Sequence, residues 1–258
     1  MKLFDWGNKR NLLIQIGLFV GSSVFFVFIL GWRVTAIFMP ILIIHELGHL
    51  WAMSRFGVKT AGVYFTPLGA IAPAAFRPDF SSEAWIGIMG PLWGFGSALV
   101  ALILFVVHPS AVFLMALVIA AILNLFQLIP VLPLDGSRVL RALTGSLKPK
   151  ASLYLFLIYT GLGILLLLKL NLFMAVVIVV LGWNELVMEF DRRRFLVDLA
   201  AHPEQRAHRP YYDLYDVAYY RTPLSRKNKI WLTIIYVGLV LPLSLMSFYA
   251  LWFFSKAI

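Results

Sequence analysis

The feature that most limits what this chain can fold into is a series of apolar runs, each about twenty residues or longer. The first extends from about Leu12 to Trp32 and the second from about Val34 to Ser54, with little polar sequence between them. Others cover about Ala84 to Val107, Ala111 to Ile129 and Ile230 to Phe254. The stretch Ala151 to Glu189 is too long for one crossing, and Lys169 and Asn171 divide it into a tight hairpin. Runs of this length can cross roughly 30 Å of hydrocarbon. Lipid offers no partner to the peptide groups, so each run must satisfy its own backbone as a helix. With 61% hydrophobic and only 13% charged residues, the chain has too little charge to cover a soluble surface.

The expected fold is therefore an all-α polytopic membrane protein of about six or seven transmembrane helices. The first run follows Lys2, Lys9 and Arg10, as a signal peptide would. Its length, with no small-residue cleavage site, favours a retained span. Between the second and third runs, Gly57 to Phe80 is rich in Gly, Pro, Ala and β-formers and too apolar for an ordinary loop. It is expected to form a small membrane-associated β or re-entrant segment. The expected organisation is an N-terminal span (1–33), a membrane core (34–143), a helical hairpin (144–190), a basic tyrosine-rich segment (191–229) and a last span (230–258).

Charge sets an expected orientation. With the N-terminus cytoplasmic, seven crossings leave only Arg33, Lys169 and Lys256 outside, of 22 Lys and Arg. That asymmetry follows the positive-inside rule. The formal charge of +10 is accounted for by anionic lipid rather than by nucleic acid, since no soluble basic domain is large enough for the latter. The segment 191–229 carries Arg192, Arg193 and Arg194, and tyrosines at 211, 212, 215, 219 and 220. Tyr211, Tyr215 and Tyr219 have helical spacing, which suits a segment lying on cytoplasmic headgroups. There are no cysteines, which excludes thiolate metal sites.

Against this background, "IIHELGHLWA" (Ile43 to Ala52) stands out, because ionisable groups inside a membrane helix are costly. His45 and His49 are four residues apart and share a helix face. Neutral imidazoles at that spacing can both reach one metal ion. Glu46 lies roughly 100° further round, where it can serve as general base. A lone histidine is usually a core residue and a lone glutamate can be a proton relay, but here three such groups share one span. Coordination of zinc compensates their burial. From His45 to Arg55 is roughly 15 Å of helix, which sets the site inside the bilayer toward the cytoplasmic end of the span.

A hydrolytic zinc site needs a third protein ligand. Asp135, in "QLIPVLPLDGSRVL" (Gln127 to Leu140), is the candidate. Pro130 and Pro133 interrupt helix there, and Gly136 permits a tight turn. The alternative reading of Asp135 is a helix N-cap opening the segment from Ser137. Gly90 and Gly94 form a GxxxG pair, read as close helix packing.

Taken together, "HELGH" at 45–49, "GP" at 90–91, "PLDG" at 133–136 and "YFTPLGAIA" at 64–72 resemble the site-2 proteases, a family of intramembrane zinc metalloproteases. The resemblance covers roughly Val34 to Leu143. It implies one zinc ion per chain held by His45, His49 and Asp135, with Glu46 as catalytic base. It implies a strand edge near Tyr64 to Ala70, including Tyr64 and Gly69, to which an unwound substrate adds by β-pairing. It also implies a polar residue that helps hold the substrate, and either Asn124 or Gln127 takes that part. The substrate class would be membrane-anchored proteins cut near the cytoplasmic face of a prokaryotic plasma membrane, in regulated proteolysis. The alternative is a non-proteolytic membrane zinc-binding protein or transporter, which needs the ligands but not Glu46.

Overall fold

The computed structural model describes residues 9–60, 62–66, 69–71, 79–201 and 224–257. Tyr211, Tyr212, Tyr215, Tyr219 and Tyr220 lie outside the described residues. In chain order the elements are α1 (Lys9–Leu30), α2 (Trp32–Arg55), β1 (Tyr64–Thr66), β2 (Gly69–Ile71), α3 (Phe80–Val107), α4 (Ala111–Gln127), α5 (Asp135–Gly145), α6 (Pro149–Leu170), α7 (Leu172–Ala201) and α8 (Arg226–Ala257). Six of these helices (α1, α2, α3, α6, α7 and α8) are long and apolar enough to cross a membrane. The protein is a multi-pass, all-α membrane protein with one small β element. The run expected as a fourth crossing is the shorter helix α4, whose 17 residues extend roughly 26 Å.

The breaks between helices have local causes. Gly31, with φ of 80°, ends α1 and lets the chain enter α2 without a loop. The Thr35 hydroxyl then donates to the Gly31 carbonyl. Asn171 separates α6 from α7, as its position in the apolar stretch predicts. Its side-chain oxygen accepts from the Met174 backbone N–H, capping α7. Asp79 caps α3 in the same way through the Ser82 N–H. Glu83 sits in the first turn of this helix. Helix α7 runs on through Asp191 to Ala201, so the first part of the expected headgroup segment is a continuation of the span.

The chain forms two compact units. The first comprises 1–77, 88–126 and 237–258. Within it, α2 buries a stripe of Thr35, Met39, Leu42, His45, His49 and Ala52, at the three- and four-residue spacing of one helix face. From α3 the same unit buries Gly90, Gly94, Ala98, Ala101 and Phe105. The small residues let backbones meet: a Cβ on Gly48 would collide with the Met89 carbonyl. The hairpin β1–β2 is antiparallel, with Tyr64 opposite Ile71, Phe65 opposite Ala70 and Thr66 opposite Gly69. Phe65 stacks edge-on against Phe19 of α1 at 5.2 Å.

The second unit comprises 78–87 and 127–236. It is built round the proline-containing turn 128–134 that leads into α5. A Cβ on Gly136 would strike the Leu128 carbonyl, one on Gly182 of α7 the Leu132 carbonyl, and one on Gly163 of α6 would press on Val131. The Tyr236 hydroxyl of α8 donates to the Leu128 carbonyl at 2.6 Å. The turn is thus enclosed by neighbouring backbone.

Candidate metal centre

The two histidines project from the buried stripe of α2. His45 is 1% exposed, Glu46 6% and His49 7%. The Nε2 atoms of His45 and His49 lie 3.1 Å apart. Two imidazole nitrogens sharing one tetrahedral ion with bonds of about 2.0–2.1 Å stand about 3.3 Å apart. The helical spacing therefore delivers what the sequence expects: two nitrogen donors converging on one point.

Asn124 determines which nitrogen of His45 is available. Its side-chain Nδ2 donates to the Ala120 carbonyl at 2.7 Å, leaving Oδ1 as an acceptor. The His45 Nδ1–H donates to that oxygen at 2.7 Å. The proton is then on Nδ1, and the Nε2 lone pair faces His49. This is the outer-shell bond that metal-ligating histidines characteristically make. Asn124 is fully buried, so both polar ends of its amide are occupied inside the protein. Gln127, the other amide expected near the substrate, ends α4 and is half-buried.

Room for this arrangement comes from α3. A Cβ on Gly90 would overlap the His49 ring and crowd His45 Nε2 at 2.8 Å, and one on Gly94 would overlap the Asn124 amide. The GxxxG pair is close packing, as the sequence indicates. What it packs against is His45, His49 and Asn124.

In the second unit, Asp135 is the first residue of α5 and 5% exposed. Leu134, not Asp135, occupies the N-cap position. Ser137 donates its hydroxyl to the Leu134 carbonyl at 2.6 Å, which fixes the entry to the helix. Among the described residues, His45, His49 and Asp135 are the buried group whose donors could serve a metal ion. Two imidazoles and one carboxylate are the donor set of a catalytic zinc, with a fourth position left for water. The donor chemistry and the cradle kept clear at Gly90 both fit zinc. Tyr64 lies in β1 and Gly69 in β2, in the hairpin that the sequence anticipates.

Residues that sequence reasoning missed lie in the second unit. Arg193, expected among headgroup-facing arginines, is fully buried and bonded to Glu189. A signal was present: Ala175, Ile178, Gly182, Glu189 and Arg193 form one helical stripe.

Residues 34–112 match Peptidase family M50. A zinc metalloprotease of Methanocaldococcus jannaschii is 34% identical over 140 residues, which cover 51% of this chain and 39% of that protein. The chain thus spans about two fifths of the length of that curated relative. A solved site-2 protease from Methanocaldococcus jannaschii is similar at 25% identity over 72% of this chain and 84% of its own, with a TM-score of 0.41. The resemblance read from the motifs is borne out over residues 34–112, which match Peptidase family M50.

Proposed function

We propose that this protein is an intramembrane zinc metalloprotease that hydrolyses peptide bonds of membrane-anchored proteins near the cytoplasmic face. The observation that carries the proposal is the pair of buried Nε2 atoms 3.1 Å apart, one oriented by Asn124, in a helix that also carries Glu46. The match to Peptidase family M50 over the residues containing this helix supports it. His45, His49 and Asp135 hold the metal. Bound zinc supplies Lewis acidity, lowering the pKa of water toward neutrality and polarising a carbonyl.

The chain's own groups do the rest. Glu46 takes a proton from the attacking water as its oxygen bonds to the scissile carbonyl carbon. It returns that proton to the amine nitrogen as the C–N bond breaks. Asn124 keeps the His45 proton on Nδ1 throughout. The β1–β2 hairpin, with Tyr64 and Gly69, receives the unwound substrate as an added strand. Gln127 contacts the substrate, since Asn124 is committed to His45. The distribution of Lys and Arg supports a cytoplasmic N-terminus; the proposed location is a prokaryotic plasma membrane. Release of a membrane-tethered regulator is the proposed use.

The test is Glu46→Gln in the purified protein, presented with a membrane-anchored substrate in vesicles. The expected result is loss of cleavage by 100-fold or more, on the order of a lost general base, with zinc content unchanged. Cleavage at the parental rate would remove the protease reading and leave a zinc-binding membrane protein.

A further inference from the structure

Four charged residues of the second unit are buried together: Glu83 is 6% exposed, Arg141 5%, and Glu189 and Arg193 both 0%. They come from α3, α5 and α7 and carry two charges of each sign. Arg193 Nε donates to Glu189 Oε1 at 2.8 Å. Its Nη1 donates to the Thr144 hydroxyl at 3.0 Å and to the carbonyl and hydroxyl of Ser152 at 2.7 and 2.9 Å. Its Nη2 donates to the Arg141 carbonyl at 3.2 Å. The guanidinium also lies over the Phe156 ring, 4.9 Å from its centroid. Arg141 in turn pairs with Glu83 and stands 3.9 Å from Glu189.

We propose that this cluster is a clamp on α5, and that Arg193 and Glu189 are positioning residues for Asp135; the inference rests on the zinc reading above. Helix α5 has 11 residues, too few to hold its shape without tertiary support. One planar guanidinium gathers acceptors from Arg141 and Thr144 in the C-terminal half of α5 and from Ser152 in the first turn of α6. Arg141, in the middle of α5, ties the same helix to the first turn of α3. At the far end, Gly136 and Gly87 let the backbone of α5 seat against the Leu128 carbonyl and against α3.

Buried ion pairs add little net stability compared with apolar packing of the same volume. They do fix register, because a displaced charge loses all its partners together. A slip of one residue along α5 would move Asp135 by roughly 1.5 Å and turn it by about 100°. A metal ligand does not tolerate that. The cluster therefore acts on the metal centre through the helix that carries the third ligand.

The experiment compares the full chain with Arg193→Gln, Glu189→Gln, Arg193→Lys and Leu167→Ala in nanodiscs. Leu167 is fully buried on α6, fifteen residues from Ser152, and serves as a control for general loosening. Two quantities are read: amide hydrogen exchange across 135–145, and zinc affinity by competition with a chromophoric chelator. Arg193→Gln and Glu189→Gln are expected to speed exchange in α5 by about tenfold or more and to weaken zinc by roughly 10–100-fold, with exchange in α2 unchanged. Arg193→Lys keeps the charge but not the fork, and is expected to fall between; it also decides the matter should Arg193→Gln fail to fold. Zinc affinity within twofold of the parent in folded Arg193→Gln and Glu189→Gln would overturn the inference. So would an equal loss in Leu167→Ala. A parent that binds no zinc would overturn the metal reading and the positioning role with it, while exchange in α5 would still report on the clamp.

Discussion

Replacing Asn124 by leucine isolates the bond that orients His45, the first of the proposed metal ligands. The side chain is fully buried and close to leucine in volume, so the packing of α4 is retained while two hydrogen bonds go. The His45 Nδ1–H loses its acceptor at 2.7 Å and the Ala120 carbonyl loses its extra donor. Ala120 sits inside α4 and keeps its helical environment. The imidazole N–H is left unsatisfied in a buried site, at a cost of about 1–3 kcal/mol. His45 can relieve the penalty by moving its proton to Nε2, but that removes the lone pair that faces His49. Either route lowers metal affinity, and at about 1.4 kcal/mol per factor of ten the expected loss is roughly 10–100-fold. Asn124→Asp keeps an acceptor at the same place and should hold zinc within about threefold of the parent, since carboxylates commonly fill this outer-shell position. The assay is chelator competition on protein in detergent, with thermal unfolding as a check on fold. Equal affinity in parent and Asn124→Leu, at intact fold, would refute the role assigned to Asn124.

The glycines of α3 offer a parallel set of outcomes. Gly90→Ala places a methyl group against the His49 ring and His45 Nε2, so zinc content should fall to near zero while helicity by circular dichroism is retained. Gly94→Ala presses on Asn124 instead, and should weaken zinc by about the same factor as Asn124→Leu.

How much could be read without coordinates follows from how local each feature is. The HExxH spacing fixes the relation of His45 to His49 because both lie on one helix, and their 3.1 Å approach follows from α2 alone. The hairpin break at Asn171 and the short strands after α2 are equally local. Asn124 was legible as a polar residue in an apolar helix, but its partner lies 79 residues away in sequence, and no periodicity reports that. The Gly90–Gly94 pair announced close packing without announcing against what. Arg193 was misplaced for a similar reason. Three consecutive arginines read as headgroup-facing, whereas only Arg194 is exposed; Arg192 is half-buried and Arg193 turns inward to acceptors supplied by Ser152, Thr144 and Arg141. Its spacing from Glu189 on the stripe that includes Gly182 was the available clue.

The decisive measurement is the zinc stoichiometry of the purified protein beside His45→Ala and Asp135→Ala variants that retain their fold. About one zinc per parent chain is expected, the number that a single three-ligand site takes, with a sharp loss in both variants. A parent that stays metal-free after zinc loading and chelator washing, or an Asp135→Ala variant that keeps its zinc at full affinity, would contradict the three-ligand zinc site.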